Sequence, residues 1–404
     1  MKVSVIGQGY VGLTISMGAA RAGHKVIGFD INDKLIKNLI EGNTFVPGIS
    51  KNSILELQSL GKLSFSNEPI SFRDSEIIVI AVPTPLNEAR EPDLDSLTSA
   101  SFLIATNLRK SCLIINESTS HPGTLRNLIK PIFESNSEHQ FEFASAPERV
   151  DPGNDEWNLK NTPRVISGLT NSASEKTALF YGSFCDTVVV VSSPEVAEAA
   201  KLFENTYRQV NIALANEFAQ ISNVLSFSSH EAITAAATKP FGFMPFYPSI
   251  GVGGHCIPVD PIYLSFAAGK KGTQTLFINL ANQTNLGMIS YVINRIKDQM
   301  NGSLNSLRIQ IAGVSYKRNI SDLRESPALI LITELKKSGA DVSWFDPLVD
   351  LDLPGRCQNL EQNIDLGLIV TPHDSIDFSI WRKANIRVLD LSADSNNYGW
   401  PKFL

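Results

Sequence analysis

The chain has 404 residues, of which 43% are hydrophobic, and a formal net charge of −6. At roughly 150 residues per domain this length suggests two or three domains, and the acidic balance disfavours a nucleic-acid-binding surface. No apolar run approaches the roughly 20 residues of a membrane-spanning helix. The cysteines lack the spacing of a metal site: Cys112, Cys185, Cys256 and Cys357. We expect a cytoplasmic protein without secretory signal, metal, membrane or nucleic-acid partner.

The first half alternates short apolar runs with helical patterns. Near-continuous apolar strands with helices between them indicate a parallel sheet covered on both faces. The predicted strands are Val3–Ile6, Lys25–Phe29, Ile77–Val82, Leu113–Asn116, Phe143–Ala146 and Thr187–Val191. Predicted helices include Leu13–Ala22, Asp33–Ile40 and Asp95–Leu108.

At Ser192 the pattern changes to a helical one. Ser192-Ser193-Pro194-Glu195 supplies a cap, a first-turn Pro and an early Glu, which predict a helix start. No Gly or Pro follows until about Leu225, so this helix would be about 50 Å long. A second helical stretch covers about Thr273–Met300.

Strand and helix patterns alternate again from Arg308. The predicted elements are Arg308–Val314, a helix at Pro327–Ser338, Val342–Phe345, Leu366–Thr371 and Arg387–Leu391. The predicted fold class is therefore α/β, with two Rossmann-like doubly wound domains joined by a long central helix and a helical middle domain. We place the domains at 1–192, 193–302 and 303–404.

A glycine-rich turn follows the first strand and opens a helix. Its spacing, Gly7-x-Gly9-x-x-Gly12, suits a tight turn, close approach of a pyrophosphate, and close helix–strand packing. Asp30 ends the second strand, where a carboxylate accepts ribose hydroxyls and repels a 2′-phosphate. The alternative is a glycine-rich turn without a ligand. Strand, helix and Asp30 together favour NAD as the cofactor.

A second glycine-rich segment contains Cys256 and runs from Gly251 to Pro261. A Cys in such a loop, with the Asp260 carboxylate four residues on, indicates a nucleophile beside a bound substrate. His255 stands next to it in sequence, which does not make it a catalytic partner, and we expect it to be structural. The other three cysteines have the apolar or unremarkable neighbours of small buried side chains.

The long helix carries Lys201 and Asn205 on one face, because they are four residues apart. Ala197 lies on the same face and leaves space beside them. A Lys and an Asn near a thiol could donate hydrogen bonds to an oxyanion on a tetrahedral carbon. The alternative is a solvated helix face.

These motifs occur in an order that resembles the UDP-glucose/GDP-mannose dehydrogenase family over essentially the whole chain. The resemblance is carried by Gly7-Gln8-Gly9-Tyr10-Val11-Gly12, Val82-Pro83-Thr84-Pro85, Glu117-Ser118-Thr119, Ala146-Pro147-Glu148-Arg149, Lys201 with Asn205, Gly253-Gly254-His255-Cys256, and Lys317 with Asp322 and Arg324.

The branch acting on UDP-N-acetylhexosamines is the most similar, especially the UDP-N-acetylglucosamine 6-dehydrogenases of bacterial surface polysaccharide synthesis. Segments 148–153, 243–248 and 255–258 carry this resemblance, and UDP-glucose dehydrogenases usually have a Lys at the position of Val259. Two departures stand out: Leu35 replaces a common basic residue, and Ser249-Ile250 replaces a common Gly-Pro.

The resemblance implies a four-electron, NAD-dependent oxidation of the C6 hydroxymethyl group of a UDP-sugar to a uronic acid. Cys256 would form a thiohemiacetal and then a thioester. Lys201 and Asn205 would stabilise the oxyanion. The remaining catalytic positions it implies are Asp260 and Thr119, which position water or relay its proton, and Glu148, which assists hydrolysis.

The same resemblance implies the binding residues and the assembly. The cofactor would contact Gly7, Gly9, Tyr10, Val11, Gly12, Asp30, Thr84, Thr119 and Arg324. The substrate would contact Glu148, Arg149, Lys201, Asn205, Tyr247, Gly251, Gly254 and Lys317. The first domain would bind NAD and the third the UDP-sugar, while the middle domain with the long helix would form a homodimer or higher homo-oligomer.

Several alternatives stay open. The first-choice substrate is UDP-N-acetylglucosamine, and UDP-N-acetylmannosamine, UDP-glucose or UDP-galactose would undergo the same chemistry. A two-electron hydroxyacid-type dehydrogenase has a similar layout, but it needs no thiol and usually has no second α/β domain. A binding protein that has lost the chemistry is the third class, although every catalytic position is present here.

Overall fold

The computed structural model of the protein describes residues 1–150, 154, 156–254, 256–351 and 353–404. The chain divides into two compact units, each considered by itself. The first comprises Met1–Glu204 and Ile262–Gly272, and the second Asn205–Pro261 and Thr273–Leu404.

The first unit alternates strands and helices from its first residues. In chain order its elements are β1 (Lys2–Ile6), α1 (Tyr10–Arg21), β2 (Lys25–Phe29), α2 (Asp33–Ile40), α3 (Lys51–Ser59), β3 (Leu63–Ser66), a 3₁₀ turn (Pro69–Ser71), β4 (Ile77–Ile80), α4 (Asp95–Asn107), β5 (Leu113–Asn116), a π-helical turn (Leu125–Ile129), α5 (Lys130–Asn136), β6 (Glu142–Ser145), β7 (Arg164–Gly168), α6 (Asn171–Gly182) and β8 (Val188–Val190).

Within the described residues these strands form one eight-stranded sheet in the order β3-β2-β1-β4-β5-β6-β7-β8. Every pairing is parallel except that of β6 with β7, where Ala144 faces Gly168. The central strands are buried throughout. Val79 belongs to a core cluster on one face and Ile78 to a cluster on the other, so apolar side chains cover both faces.

Helices dominate the middle of the chain: α7 (Pro194–Val224), α8 (Ser229–Ala236), α9 (Asp260–Gly269) and α10 (Leu276–Gln299). Helix α7 has 31 residues and a first turn with Pro194 and the acidic Glu195, both favourable at a helix N-terminus. Ser193 Oγ accepts the Val196 N–H at 3.4 Å, and no later Gly or Pro interrupts the helix.

The second unit ends in a smaller sheet. Its elements are β9 (Arg308–Ala312), α11 (Pro327–Lys337), β10 (Asp341–Phe345), β11 (Leu366–Ile369), α12 (Ser379–Lys383) and β12 (Val388–Asp390). The four strands that the structure describes here are all parallel, in the order β10-β9-β11-β12.

The predicted fold class is confirmed: an eight-stranded Rossmann-like sheet, a long central helical region and a C-terminal parallel sheet. Strands β3 and β7 were missing from the prediction, and the antiparallel pairing of β7 departs from the wholly parallel sheet that it favoured. The predicted boundaries at 192/193 and 302/303 stay predictions. No helix in the described part of the chain is both long and apolar enough to span a bilayer.

Candidate active site

Three glycines shape the turn between β1 and α1. Gly7 has a φ of +91°, and a Cβ there would lie 2.4 Å from Ala81 O. A Cβ at Gly12 would lie 1.8 Å from Gly7 O, so helix and strand can pack this closely only at glycine. A Cβ at Gly9 would meet nothing within 4 Å. This open space, at a helix N-terminus without a side-chain cap, fits the pyrophosphate of a dinucleotide.

Asp30 lies at the end of β2 beside this turn. Its Oδ2 accepts the Gln8 N–H at 2.8 Å and its Oδ1 accepts the Asn32 N–H at 2.9 Å. The side chain is half-buried, and carboxylate oxygens have further lone pairs. The carboxylate is therefore fixed where ribose hydroxyls are accepted in dinucleotide-binding folds. Tyr10 and Val11 form the start of α1, half-buried.

The two predicted threonines follow neighbouring strands, Thr84 after β4 and Thr119 after β5. Both are half-buried, and the Tyr263 hydroxyl lies 3.1 Å from Thr84 O. The ammonium group of Lys201 donates to Thr119 Oγ1. Lys201 is only 8% exposed, so the alternative of a solvated helix face is wrong for this residue.

Glu148 belongs to a buried cluster of charged side chains in which Glu117 follows β5 and Glu148 follows β6. Arg164 donates to Glu148 Oε2 at 2.8 Å and to Glu117 Oε2 at 3.1 Å, and the Tyr181 hydroxyl donates to Glu117 Oε1. Glu148 Oε1 accepts the N–H groups of Arg149 at 2.7 Å and Val150 at 2.8 Å. One guanidinium thus holds two carboxylates.

The pKa values of these two carboxyl groups are shifted in opposite directions. Burial raises the pKa of Glu117 to about 7, against the opposing effect of Arg164. Burial opposes the charge of Glu148 as well, but Arg164 and two backbone N–H groups outweigh it and hold the pKa of Glu148 below its usual range. Glu148 is therefore a carboxylate near neutral pH, which suits it to accept hydrogen bonds.

Glu198 fastens the segment after Thr119 to helix α7. Its two carboxylate oxygens accept the N–H groups of Gly123 at 2.7 Å and Leu125 at 3.1 Å, where the π-helical turn begins. The side chain is 2% exposed. It lies one helical turn before Lys201, so the helix that carries Lys201 also fixes the segment that carries Thr119.

Cys256 lies in the second unit and is exposed. Its carbonyl accepts the N–H of Asp260 at 2.8 Å, which places the thiol one turn before α9. In contrast, burial raises the pKa of Cys112 to about 12 and that of Cys185 to about 11, and Cys357 is half-buried. His255 lies outside the described residues.

Asn205 and Asp260 lie together in the second unit. The Asn205 side-chain amide donates to Asp260 Oδ2 at 2.6 Å, and Asp260 is 1% exposed. Such a bond fixes the orientation of the amide, whose second N–H can point elsewhere. Asn205 follows Lys201 by one turn of α7, as the spacing predicts.

The remaining predicted substrate residues have definite surroundings. The Tyr247 ring stacks on His230 at 5.3 Å, and Gly251 has a φ of +138°. The Gly254 N–H donates to Arg324 O at 3.1 Å. Lys317 is half-buried in the segment after β9.

Two predicted arginines are held in ion pairs. In the first unit Arg149 pairs with Glu204, with a nitrogen–oxygen distance of 2.7 Å. In the second unit the guanidinium of Arg324 pairs with Asp322. The predicted contact of Arg149 with substrate and that of Arg324 with NAD stay predictions.

Several site residues were missed by sequence reasoning. Arg164 opens an apolar run, and an Arg in that position was the available signal for a buried ion pair. Glu198 lies three residues before Lys201 on the same helix, which could have placed it near Thr119. Tyr181 gave no signal.

Comparison with known proteins places the chain in one family along most of its length. Profiles of the UDP-glucose/GDP-mannose dehydrogenase family match residues 1–185 (NAD binding domain), 195–286 (central domain) and 310–390 (UDP binding domain). The UDP-N-acetyl-D-glucosamine 6-dehydrogenase of Pseudomonas aeruginosa is 35% identical, covering 87% of this chain and 84% of that protein.

Two archaeal comparisons point the same way. The UDP-N-acetyl-D-mannosamine dehydrogenase of Pyrococcus horikoshii is 33% identical over 94% of this chain and 91% of that protein. A solved structure of a UDP-D-ManNAc dehydrogenase from Pyrococcus horikoshii has a TM-score of 0.88 at 31% identity, covering 100% of this chain and 97% of that one.

The fold, the glycine turn with Asp30 and these matches define an NAD-dependent nucleotide-sugar dehydrogenase with a UDP-sugar-binding domain. The chain belongs to the UDP-glucose/GDP-mannose dehydrogenase family.

Proposed function

We propose that this enzyme carries out the four-electron oxidation of the C6 hydroxymethyl group of a UDP-N-acetylhexosamine to the uronic acid. The first-choice substrate is UDP-N-acetylglucosamine. The observation that supports this proposal most directly is the position of the exposed Cys256. It lies one turn before Asp260, whose carboxylate orients the Asn205 amide.

The chemistry requires a thiol because an aldehyde stands between the two oxidations. When bound, NAD would accept one hydride from C6 in each oxidation, and in the first the C6 hydroxyl proton is released to solvent. Between these losses Cys256 Sγ adds to the C6 aldehyde and the carbonyl oxygen gains a proton, giving a thiohemiacetal. Loss of the second hydride and of the hydroxyl proton leaves a thioester, which water cleaves to the carboxylate and the free thiol. The covalent bond retains the aldehyde that would otherwise leave or become hydrated.

The other proposed catalytic side chains have separable roles. Asn205, oriented by Asp260, donates to the oxygen on C6 when that oxygen gains negative charge. The ammonium of Lys201 has three N–H donors, one of which it gives to Thr119, and it acts on the same oxygen. Asp260 and Thr119 position water or relay its proton, and Glu148 assists the hydrolytic step.

The choice of an N-acetylhexosamine rests on the resemblance of segments 148–153, 243–248 and 255–258. The 35% identity to the glucosamine enzyme and the 33% identity to the mannosamine enzyme are too similar to decide between epimers. Ser249 Oγ donates to Gly251 O at 2.7 Å, and the Ser249 N–H donates to Asn216 Oδ1 at 2.7 Å, so this departure from the family pattern is built into the loop.

The test is NADH formation followed to completion with limiting UDP-N-acetylglucosamine, UDP-N-acetylmannosamine, UDP-glucose and UDP-galactose in turn. Two NADH per sugar are expected, fastest with UDP-N-acetylglucosamine. A higher rate with UDP-N-acetylmannosamine would reassign the sugar and keep the reaction. One NADH per sugar would mean two-electron chemistry and would remove Cys256 from its role.

The Cys256→Ser variant separates the two oxidations. We expect little or no uronic acid, because an alkoxide adduct is a far poorer route to an acyl intermediate than a thiolate adduct. Mass spectrometry of the product and of the protein would detect an aldehyde-level product or a trapped adduct. Full uronate production by this variant would refute the thioester mechanism.

The enzyme is further proposed to be a homodimer through the second half of α7 and helix α10. Large apolar side chains are exposed at seven-residue spacing on α7, with Leu214 at 63% and Ile221 at 45%, and Leu280 of α10 is 61% exposed. Several large apolar side chains exposed on these helices support an interaction site. Light scattering should give twice the monomer mass, and a Leu214→Glu variant should lower it; a monomeric wild-type protein would exclude the dimer.

A further inference from the structure

We propose that His373 is a positioning residue: it holds the segment 316–325, against which the glycine loop of Cys256 packs. This inference rests on the proposed function of that loop in binding a UDP-sugar and presenting the thiol. His373 is not proposed to touch NAD or substrate. It acts through a hydrogen bond with the backbone N–H of Asn319.

The hydrogen bonds of His373 fix its tautomer. Its Nδ1 lies 2.8 Å from the backbone N of Asn319, and because a backbone N–H only donates, Nδ1 must be the acceptor. Nε2 therefore carries the proton of the neutral ring and donates to Asp346 Oδ2 at 3.0 Å. The ring is 2% exposed, so water does not compete for either nitrogen.

Asp346 ties His373 to the strand that precedes the segment. Its Oδ2 also accepts the Val314 N–H at 2.8 Å, the Ser315 N–H at 3.1 Å and the Ser315 hydroxyl at 2.9 Å. Burial disfavours the charge of Asp346, but hydrogen bonds from His373 and from backbone N–H groups outweigh it and hold the pKa of Asp346 at about 2. The anchor is a permanent anion.

The contact at Asn319 has a conformational consequence. Asn319 has a φ of +61°, in the left-handed region that Asn adopts more readily than most non-glycine residues. Its side chain is bound as well: Nδ2 donates to Asp374 Oδ2 at 2.6 Å, and Oδ1 accepts the Asp374 N–H at 3.1 Å. The contacts with Asp374 are exposed, whereas the contact with His373 is part-buried.

The held segment contacts the loop that leads to Cys256. The Arg324 carbonyl accepts the Gly254 N–H at 3.1 Å. A Cβ at Gly254 would lie 2.8 Å from the Tyr316 ring, and one at Gly253 would lie 2.9 Å from Glu325 O. Both glycines thus pack directly on the segment. Ser315 and Ser326, the residues immediately before and after the segment, are both buried.

The consequence is a chain of contacts from the sheet to the nucleophile. Asp346 orients His373, His373 holds Asn319, and the segment with Lys317 and Arg324 supports Gly253 and Gly254 just before Cys256. A displacement of about 1 Å in a reacting group can lower a rate on the order of a hundredfold. Loss of the Asn319 contact should therefore affect UDP binding and thiol placement together.

Two amide substitutions separate the hydrogen bonds of His373. In His373→Asn the side-chain oxygen comes near the position of Nδ1 and can still accept from Asn319, while Asp346 keeps three other donors. In His373→Gln the amide reaches the position of Nε2, so Asp346 keeps a partner but Asn319 loses its acceptor. His24→Leu is the matched control, since His24 is also a buried histidine, 7% exposed and hydrogen-bonded to Ser183, in the first unit.

The experiment measures binding of UDP alone by titration calorimetry and the alkylation rate of Cys256 by iodoacetamide, with and without UDP. For His373→Gln we expect UDP affinity lower by about tenfold or more, a changed Cys256 alkylation rate and weaker protection by UDP, with the Kd for NAD, measured by the same calorimetry, unchanged. His373→Asn should stay within about threefold of the wild type, the scale of minor repacking. His24→Leu should lower only thermal stability.

Equal behaviour of His373→Gln and wild type would overturn the proposal, as would equal losses in His373→Asn and His373→Gln. Neither readout requires turnover. Failure of the wild-type protein to form NADH would thus count against the proposed function alone.

Discussion

The first sheet and the second sheet begin with the same local geometry. In each, a glycine with positive φ follows the first strand and donates its N–H to the last residue of the next strand: Gly7 to Phe29 O and Gly313 to Phe345 O, both at 2.8 Å. An aspartate follows that second strand in both and accepts an N–H from the turn. The two halves of the chain therefore share this local arrangement.

The two aspartates nevertheless have different environments. Asp30 is half-buried and holds two backbone N–H groups, so it can still accept ribose hydroxyls. Asp346 is 2% exposed and its Oδ2 alone receives four donors. The same fold position is therefore accessible to a ligand in the first unit and is occupied by contacts within the protein in the second. The shared backbone geometry alone does not identify a dinucleotide-binding site. That identification requires an accessible carboxylate and an open glycine turn.

The largest expected difference between the two positions is in stability. Asp346→Asn replaces an acceptor by a donor among buried N–H groups and should cost about 3 kcal/mol or more. Asp30→Asn should cost less than about 1 kcal/mol, because water can reach its partners. Thermal unfolding followed by calorimetry measures both, and equal losses would break the comparison.

The next difference is in cofactor binding. Asp30→Ala should raise the KM for NAD by about tenfold, worth about 1.4 kcal/mol, and should relax discrimination against NADP. The UDP affinity of this variant should equal that of the wild type. Initial rates with NAD and NADP check the first expectation, and unchanged NAD kinetics would show that the adenosine ribose lies elsewhere.

The smallest expected difference is in the pH dependence of stability. The pKa of Asp346 is lowered from 3.8 to about 2, so its contribution is present above pH 3.8 and is lost as pH falls toward 2. Burial raises the pKa of Glu198 in the first unit from 4.5 to about 8, with Glu195 and Arg126 nearby. Its contribution is present below pH 4.5 and is lost as pH rises toward 8.

Glu198→Gln should therefore flatten the unfolding midpoint between about pH 4.5 and 8 and leave the acid limb unchanged. Thermal scans of wild type and variant across both windows provide the measurement. An identical pH profile for the two proteins would mean that Glu198 ionises normally in the folded state.

Much of the fold follows from periodicity and punctuation in the sequence. The buried strands β4 and β5 are apolar at every position but the last of β5, and α7 has a clear start at Pro194, so these elements were predicted closely. Strand β3 alternates apolar residues with Ser over only four positions, and β7 begins with a charged residue. Their pairing depends on tertiary contacts that local pattern does not encode.

The candidate site divides in the same way. Cys256, Lys201 and Asn205 were predicted because their residue types and spacing have direct chemical meaning, although their roles stay predictions. Arg164 and His373 could not be inferred from spacing. Each meets its partners across long sequence separations, Glu117 for Arg164 and Asn319 for His373. Only the folded chain brings such partners together.

The distribution of thiols makes the protein its own conformational reporter. Cys256 is exposed, whereas Cys112 is 8% and Cys185 5% exposed, both within the first unit. A pulse of alkylating reagent should modify Cys256 at once and the two buried thiols only when that unit opens locally. Identifying the modified cysteines by peptide mass spectrometry, with the half-buried Cys357 followed separately, would then distinguish ligand protection at the nucleophile from local opening of the NAD-binding sheet without any substitution.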